Sequence, residues 1–136
     1  REEKVHSVPE MRHKATFIVN NTSPIRYNAV TGNATATQLT NKTTAVTVNG
    51  RTGQITTNNA SIAGGRSASF TVNNNFIVSA NDVVIVNIAS GASTSSYAVS
   101  VTNINQTGSF DITISNISGG ALAEALVINF AVIRVS

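Results

Sequence analysis

The stretch Leu126-Val127-Ile128-Asn129-Phe130-Ala131-Val132-Ile133 is apolar at every position but Asn129. Val and Ile are stiff at χ1, and with Phe they favour extended backbone. Side chains alternate across a strand, so Leu126, Ile128, Phe130 and Val132 share one face. Val127, Ala131, Ile133 and, further along, Val135 share the other. A half-buried antiparallel strand alternates apolar with polar residues, whereas a strand covered on both sides does not. The first face can fill the core of a sandwich. The second also needs cover, and a chain of 136 residues with almost no helical periodicity has no further layer to give it. Oligomers of identical chains are usually symmetric, so the economical cover is another copy. Val127, Ala131, Ile133 and Val135 are the expected oligomer interface.

The rest of the chain fits the same picture. Strand formers (Val, Ile, Thr) and turn formers (Asn, Ser, Gly) alternate every eight to twelve residues, the pattern of an all-β sandwich or barrel. Short strands are expected at Thr16-Phe17-Ile18-Val19, at Arg26 to Val30, at Thr35 to Leu39 and at Ala45 to Val48. Asn49-Gly50 is a strong hairpin signal, predicting that Gln54 to Thr57 pairs back on Ala45 to Val48. Ser67 to Val72 should turn Ala68, Phe70 and Val72 inward. Asp82 to Ile88 is apolar on both faces. Tyr97 to Thr102 points Tyr97, Val99 and Val101 inward, and Ser109 to Asn116 does the same with Phe110, Ile112 and Ile114. Ala121 to Ala125 could form one helical turn. The expected fold is all-β, an antiparallel jelly-roll-like sandwich of about eight strands with an extended N-terminal arm. The division falls near residue 40, between an arm or attachment segment (1–40) and the sandwich (41–136).

Composition excludes several classes of chemistry. There is no Cys, so a disulfide framework, a thiolate zinc site and a Cys nucleophile are ruled out. The net charge of +3 arises from few acids, and the nine Lys and Arg are scattered. Lys42, Arg51, Arg66 and Arg134 each stand alone. Nucleic-acid binding calls for a clustered basic stripe, so no nucleic-acid partner is expected. No apolar run approaches the roughly 18 residues of a membrane span. The first residues carry charge and lack the apolar segment of a signal peptide, so neither membrane nor leader is expected.

An active site needs titratable groups gathered in a pocket. His6 and His13 both lie in the charged front, and beyond residue 14 the acids are Asp82, Asp111 and Glu124. Asp82 opens a strand and can cap a turn, and Asp111 sits on an outward face. A carboxylate pair for glycoside hydrolysis would have to be built from Asp111 and Glu124. No Gly-x-Ser-x-Gly motif, calcium loop or complete phosphate loop occurs. No catalytic, cofactor-binding or metal-binding residue is assigned, and no cofactor is expected. The alternating charges of Arg1-Glu2-Glu3-Lys4 and Glu10-Met11-Arg12-His13-Lys14 suit a solvated terminus or an arm that docks on a neighbouring protein. Arg1, Lys4, Arg12 and Lys14 are the candidate attachment residues.

One resemblance adds to this reading. The succession Thr40-Asn41-Lys42-Thr43-Thr44-Ala45-Val46-Thr47-Val48-Asn49-Gly50-Arg51-Thr52-Gly53-Gln54-Ile55-Thr56, then Ser69-Phe70-Thr71-Val72-Asn73-Asn74, Asp82-Val83-Val84-Ile85-Val86-Asn87 and Ser115 to Ile133, resembles a β-rich module of tailed-bacteriophage virion proteins. The resemblance implies a non-enzymatic particle protein on the virion surface. It would be a homotrimer acting as capsid decoration or head fibre, with the major capsid protein or another virion protein as partner. The alternative is a receptor-binding tail fibre or adhesin tip that recognises a host surface glycan, with Ala89 to Ser96 as the candidate loop. A loop of that composition reads first as an ordinary mobile connection.

Overall fold

The computed structural model describes residues 34–134. Expected strands at 16–19 and 26–30 lie outside that range, as do Arg1, Lys4, Arg12, Lys14 and Val135. The described chain forms eight strands: β1 (Ala34–Thr37), β2 (Val46–Thr47), β3 (Thr52–Thr56), β4 (Ser67–Asn73), β5 (Val83–Ser90), β6 (Tyr97–Asn105), β7 (Ser109–Asn116) and β8 (Val127–Ile133). They make two four-stranded sheets, ordered β1-β3-β8-β5 and β2-β4-β7-β6. This is the expected all-β sandwich. Because β1 belongs to the first sheet, the sandwich begins ahead of residue 41. Among the described residues no helix is long and apolar enough to cross a membrane.

The core forms where the inward faces meet. Ile55, Ile128, Phe130 and Val132 come from one sheet, and Phe70, Val72, Phe110, Ile112 and Ile114 from the other. Each of these side chains contributes roughly 1.5–3 kcal/mol when fully buried. The rings of Phe110 and Phe130 lie 5.4 Å apart at 60° and join the central strands β7 and β8 across the sandwich. Gly53 makes room for this packing, since a Cβ there would stand 2.5 Å from the Phe130 ring. The inward residues expected on β4, β6, β7 and β8 all face the core.

Three local expectations need correction. Asn49-Gly50 does not close a hairpin. β2 pairs with β4 and β3 pairs with β1 and β8, so the segment carries the chain from one sheet to the other. A type I′ turn needs positive φ at both central residues, and neither Asn49 nor Gly50 has it. Instead Asn49 Oδ1 accepts from Asn75 N (3.0 Å), and the Gly50 carbonyl accepts from Asn74 Nδ2 (2.7 Å). Second, Ala121 to Ala125 forms no helical turn. Leu122 exchanges both backbone hydrogen bonds with Ile62. Third, the ladders β1–β3 and β2–β4 run parallel, while the other four are antiparallel. The strand order does not by itself establish a jelly roll.

Candidate functional site

The outward face of the first sheet is organised in rows set by register. Val83 lies opposite Ile133, and Ile85 opposite Ala131, which neighbours Thr52. The next outward row is Asn87, Asn129, Gln54 and Thr35. Gln54 Nε2 donates to Asn129 Oδ1 at 2.9 Å. Beyond it come Val127, Thr56 and Thr37. The face is therefore apolar at one end and amide- and hydroxyl-bearing over the remainder. Val83 and Ile85 are 43% and 54% exposed, and Ala131, Ile133 and Val127 are half-buried. Of the expected interface residues, Ala131 and Ile133 share the apolar rows. Val127 is separated from them by the amide row. The doubly apolar segment is thus neither sealed within the subunit nor fully bare.

Beside these rows lies a depression of about 310 Å³, lined by Thr35, Thr52, Gly53, Gln54, Asn129 and Phe130. Its lining offers hydroxyls and amides and no titratable group. The outward face of the second sheet is tiled with hydroxyls in pairs. Ser67 meets Ser115 at 2.8 Å and Ser69 meets Thr113 at 2.7 Å. Thr113 also meets Thr102, and Thr71 donates to Asp111 at 2.8 Å. Asp111 is outward, as expected.

The two ends of the sandwich hold the remaining ionisable groups. At one end Asp82 caps its turn, Oδ2 accepting from Val78 N (2.9 Å) and Ser79 N (3.1 Å). Its Oδ1 pairs with Arg134 Nε at 3.1 Å. The backbone hydrogen bond from Val78, aided by Arg134, holds this carboxyl below the usual carboxylate range despite burial.

The other end contains a polar cluster that sequence reasoning missed. Asn41 Oδ1 accepts from Thr43 N and Thr43 Oγ1, forming a local turn that folds Lys42 inward. Lys42 is buried, and its Nζ donates to the carbonyls of Asn58 and, at 2.6 Å, Glu124. Burial lowers the amine's pKa, and the nearby Glu124 carboxylate opposes that shift. Gln38, also buried, donates to the carbonyls of Lys42 (3.2 Å) and Thr44 (2.8 Å) and accepts from Asn58 N. The Glu124 carboxylate accepts from Ser93 Oγ (2.8 Å) and Ser93 N (3.3 Å). The Ser93 hydroxyl is the main cause of its lowered pKa. Tyr97 Oη is buried and meets no acceptor at good hydrogen-bond geometry, although the Glu124 carboxylate lies near enough to act on it. Burial first, then the Glu124 carboxylate, pushes its pKa up to about 12. Lys42 and Tyr97 Oη are closed to solvent while Ser93 and its bonds to the Glu124 carboxylate lie at the surface, and the cluster ties the loops together.

That tie shapes the candidate loop at 89–96. Glu124 holds Ser93, and Ile117 N donates to Ser96 O at 2.9 Å. Gly91 has φ +89°, and a Cβ there would lie 2.1 Å from the Ala125 carbonyl oxygen. The loop is pinned at several points, with Ser93, Thr94 and Ser95 exposed. Asp111 lies near the start of β7, while Glu124 meets β6 where Tyr97 pairs with Asn116 at the far end of β7. The two carboxylates are not brought together. Among the described residues no group of three or more His, Cys, Asp or Glu could hold a metal ion.

No protein-family model, curated protein or solved structure matches the chain.

Proposed function

We propose that this chain is a non-enzymatic structural protein of a tailed-bacteriophage particle. In this reading it is displayed on the head as a decoration or head-fibre protein and assembles as a homotrimer with a jelly-roll-like sandwich. The observation that carries the reading is the apolar end of the β5–β8 outer face, with Val83 and Ile85 about half exposed on a rigid sandwich. Such a face suits burial against identical subunits. The likeness of residues 40–133 to virion modules points to the same setting. The front segment, with Arg1, Lys4, Arg12 and Lys14, would serve as attachment to the major capsid protein. Cryo-electron microscopy of the native particle, with this chain's density located, tests the proposal. Copies following the shell symmetry support it, and density confined to the tail tip overturns it.

A second reading is favoured by one feature, the pinned loop at 91–96. A rigid, hydroxyl-bearing tip needs little ordering to bind a host glycan. In that case the purified chain binds host cells and blocks phage adsorption, and replacing Thr94 and Ser95 abolishes both effects.

A further inference from the structure

We infer that Asn49-Gly50 is a self-modifying site. The Gly50 main-chain nitrogen attacks the Asn49 side-chain amide, which leaves aspartyl and isoaspartyl forms at the passage between the two sheets.

Asn49-Gly50 closes no hairpin, and what keeps a glycine at 50 is space. A Cβ there would stand 2.9 Å from the Thr52 carbonyl oxygen and 3.1 Å from Ala34 Cβ. The same lack of a side chain leaves the Gly50 nitrogen open to the neighbouring amide carbon. Of all the Asn residues in the chain, only Asn49 is followed by Gly. The pair lies after β2, which ends at Thr47, and before β3, which begins at Thr52, so no ladder holds it. Asn49 is exposed to water.

The fold adds activation. Asn75 N–H donates to Asn49 Oδ1 at 3.0 Å, the oxygen that gains negative charge when the amide carbon is attacked. A fixed donor aimed at developing charge lowers the barrier. Its neighbour Asn74, only 1% exposed, keeps it in place. Asn74 Nδ2 donates to the Gly50 carbonyl at 2.7 Å, and its Oδ1 accepts from Phe76 N at 2.9 Å. The Arg51 guanidinium lies 5.4 Å over the Phe76 ring. A positive charge on this turn favours loss of the Gly50 amide proton.

Gly50 N gives its proton to hydroxide and bonds to Asn49 Cγ. The Cγ–Nδ2 bond then breaks, and the nitrogen leaves as ammonia with a proton from water. Water opens the resulting five-membered imide. Breaking the new bond to Cγ gives aspartate at 49. Breaking the bond to the main-chain carbonyl carbon gives isoaspartate, with the chain running through Cγ. Overall one water enters and one ammonia leaves, with no oxidation. The aspartyl form keeps the acceptor for Asn75 N–H. The isoaspartyl form adds a methylene to a main chain clamped by Asn74 and Asn75. It therefore displaces the Gly50 carbonyl and loosens β2, whose ladder with β4 is only two residues long.

The test ages the full chain in mildly alkaline buffer at body temperature, folded and, in parallel, unfolded in urea. Trypsin then releases residues 43–51, in which Asn49 is the one Asn. Mass spectrometry reads the exchange of amide for acid, and enzymatic methylation reads isoaspartate. In the folded chain the exchange should appear first in this peptide, no slower than in urea. Asn49→Gln should slow it roughly tenfold or more, the effect of about 1.4 kcal/mol on a barrier, because the ring would need six members. The isoaspartyl form, separated by ion exchange, should melt below the fresh chain, and Asn49→Asp should melt with it. The wild-type comparison decides the matter even if a variant misfolds. An intact Asn49 in the folded chain, after the unfolded chain has converted, overturns the inference. So does another Asn converting first, or acid formed without isoaspartate. Equal melting of the isoaspartyl form and the fresh chain overturns the loosening of β2.

Discussion

Replacing Lys42 by Met tests whether the buried ammonium ties the loops at one end of the sandwich. Met keeps a similar unbranched stem and fills comparable space, so the packing change is small. Lost are the donors to the carbonyls of Asn58 and Glu124. Each buried acceptor left without a donor costs about 1–3 kcal/mol, or about 2–6 kcal/mol for two. Relief from burying a charge offsets part of this, leaving a net loss of roughly 2–4 kcal/mol. For a domain of about 100 residues, each kcal/mol lowers Tm by about 4–8 °C, so a fall on the order of 8–30 °C is expected. Urea denaturation at pH 7, followed by circular dichroism, gives the free-energy change directly. Unfolding within about 0.5 kcal/mol of wild type, the range of ordinary surface substitutions, would refute the reasoning. In that case the two carbonyls are satisfied otherwise and the cluster is no tie.

Further outcomes at three residues follow from the same geometry. Tyr97→Phe removes a buried hydroxyl that meets no acceptor at good geometry, so stability should hold or rise by up to about 1 kcal/mol; a loss above that in urea denaturation means the hydroxyl is bonded. In a Tyr27→Phe background, absorbance at 295 nm should show the Tyr97 phenol ionising near 12 while the protein is folded, and ionisation near 10 would contradict its burial. Because the folded phenol keeps its proton longer than the unfolded one, stability should fall as pH rises from about 10 towards 12. For Asp82 the sign is opposite. Its folded carboxyl is the stronger acid, so its contribution is present above the unfolded pKa near 4 and lost as pH falls below it. Asp82→Asn should be less stable at pH 7 and show a shallower acid limb in urea titrations at pH 7 and pH 3. Gly91→Ala should cost several kcal/mol, since positive φ and the Ala125 carbonyl both oppose a side chain; a fall in Tm of less than about 4 °C would show that the loop yields.

The regular strands were legible because one face of each is buried. Alternation at Ser67 to Val72, Tyr97 to Thr102 and Ser109 to Asn116 locates β4, β6 and β7 and their inward residues. The apolar run at 126–133 locates β8 and the apolar character of both its faces. Pairing was less legible, because Asn49-Gly50 has the same composition whether it closes a hairpin or carries the chain between sheets. The decision came from Asn74 and Asn75, distant in sequence, which bond the turn in its crossing form. Ala121 to Ala125 read as helical from local propensity, yet Leu122 is drawn into a bridge with Ile62. The Lys42 cluster gave almost no signal. A lone Lys in a polar turn is ordinarily solvated, and its partners are main-chain carbonyls, which no residue pattern announces. Tyr97 was expected to point inward, and the open question of where its hydroxyl bonds was the one available hint. Val83 and Ile85 were seen as part of a doubly apolar strand, but which strand lay at the edge depended on topology.

The placement of β8 between β3 and β5 has a consequence for biosynthesis. Both neighbours are made earlier, and among the described residues β5 has no other partner in its sheet. Until the ribosome has delivered residues 127–133, the first sheet lacks its middle, and Ile55, Val84 and Val86 have nothing to close over. A nascent or prematurely terminated chain would then show sticky, unzipped strands to chaperones and proteases. Productive folding waits on the final described strand, and yield in the cell should depend sharply on that strand being made intact.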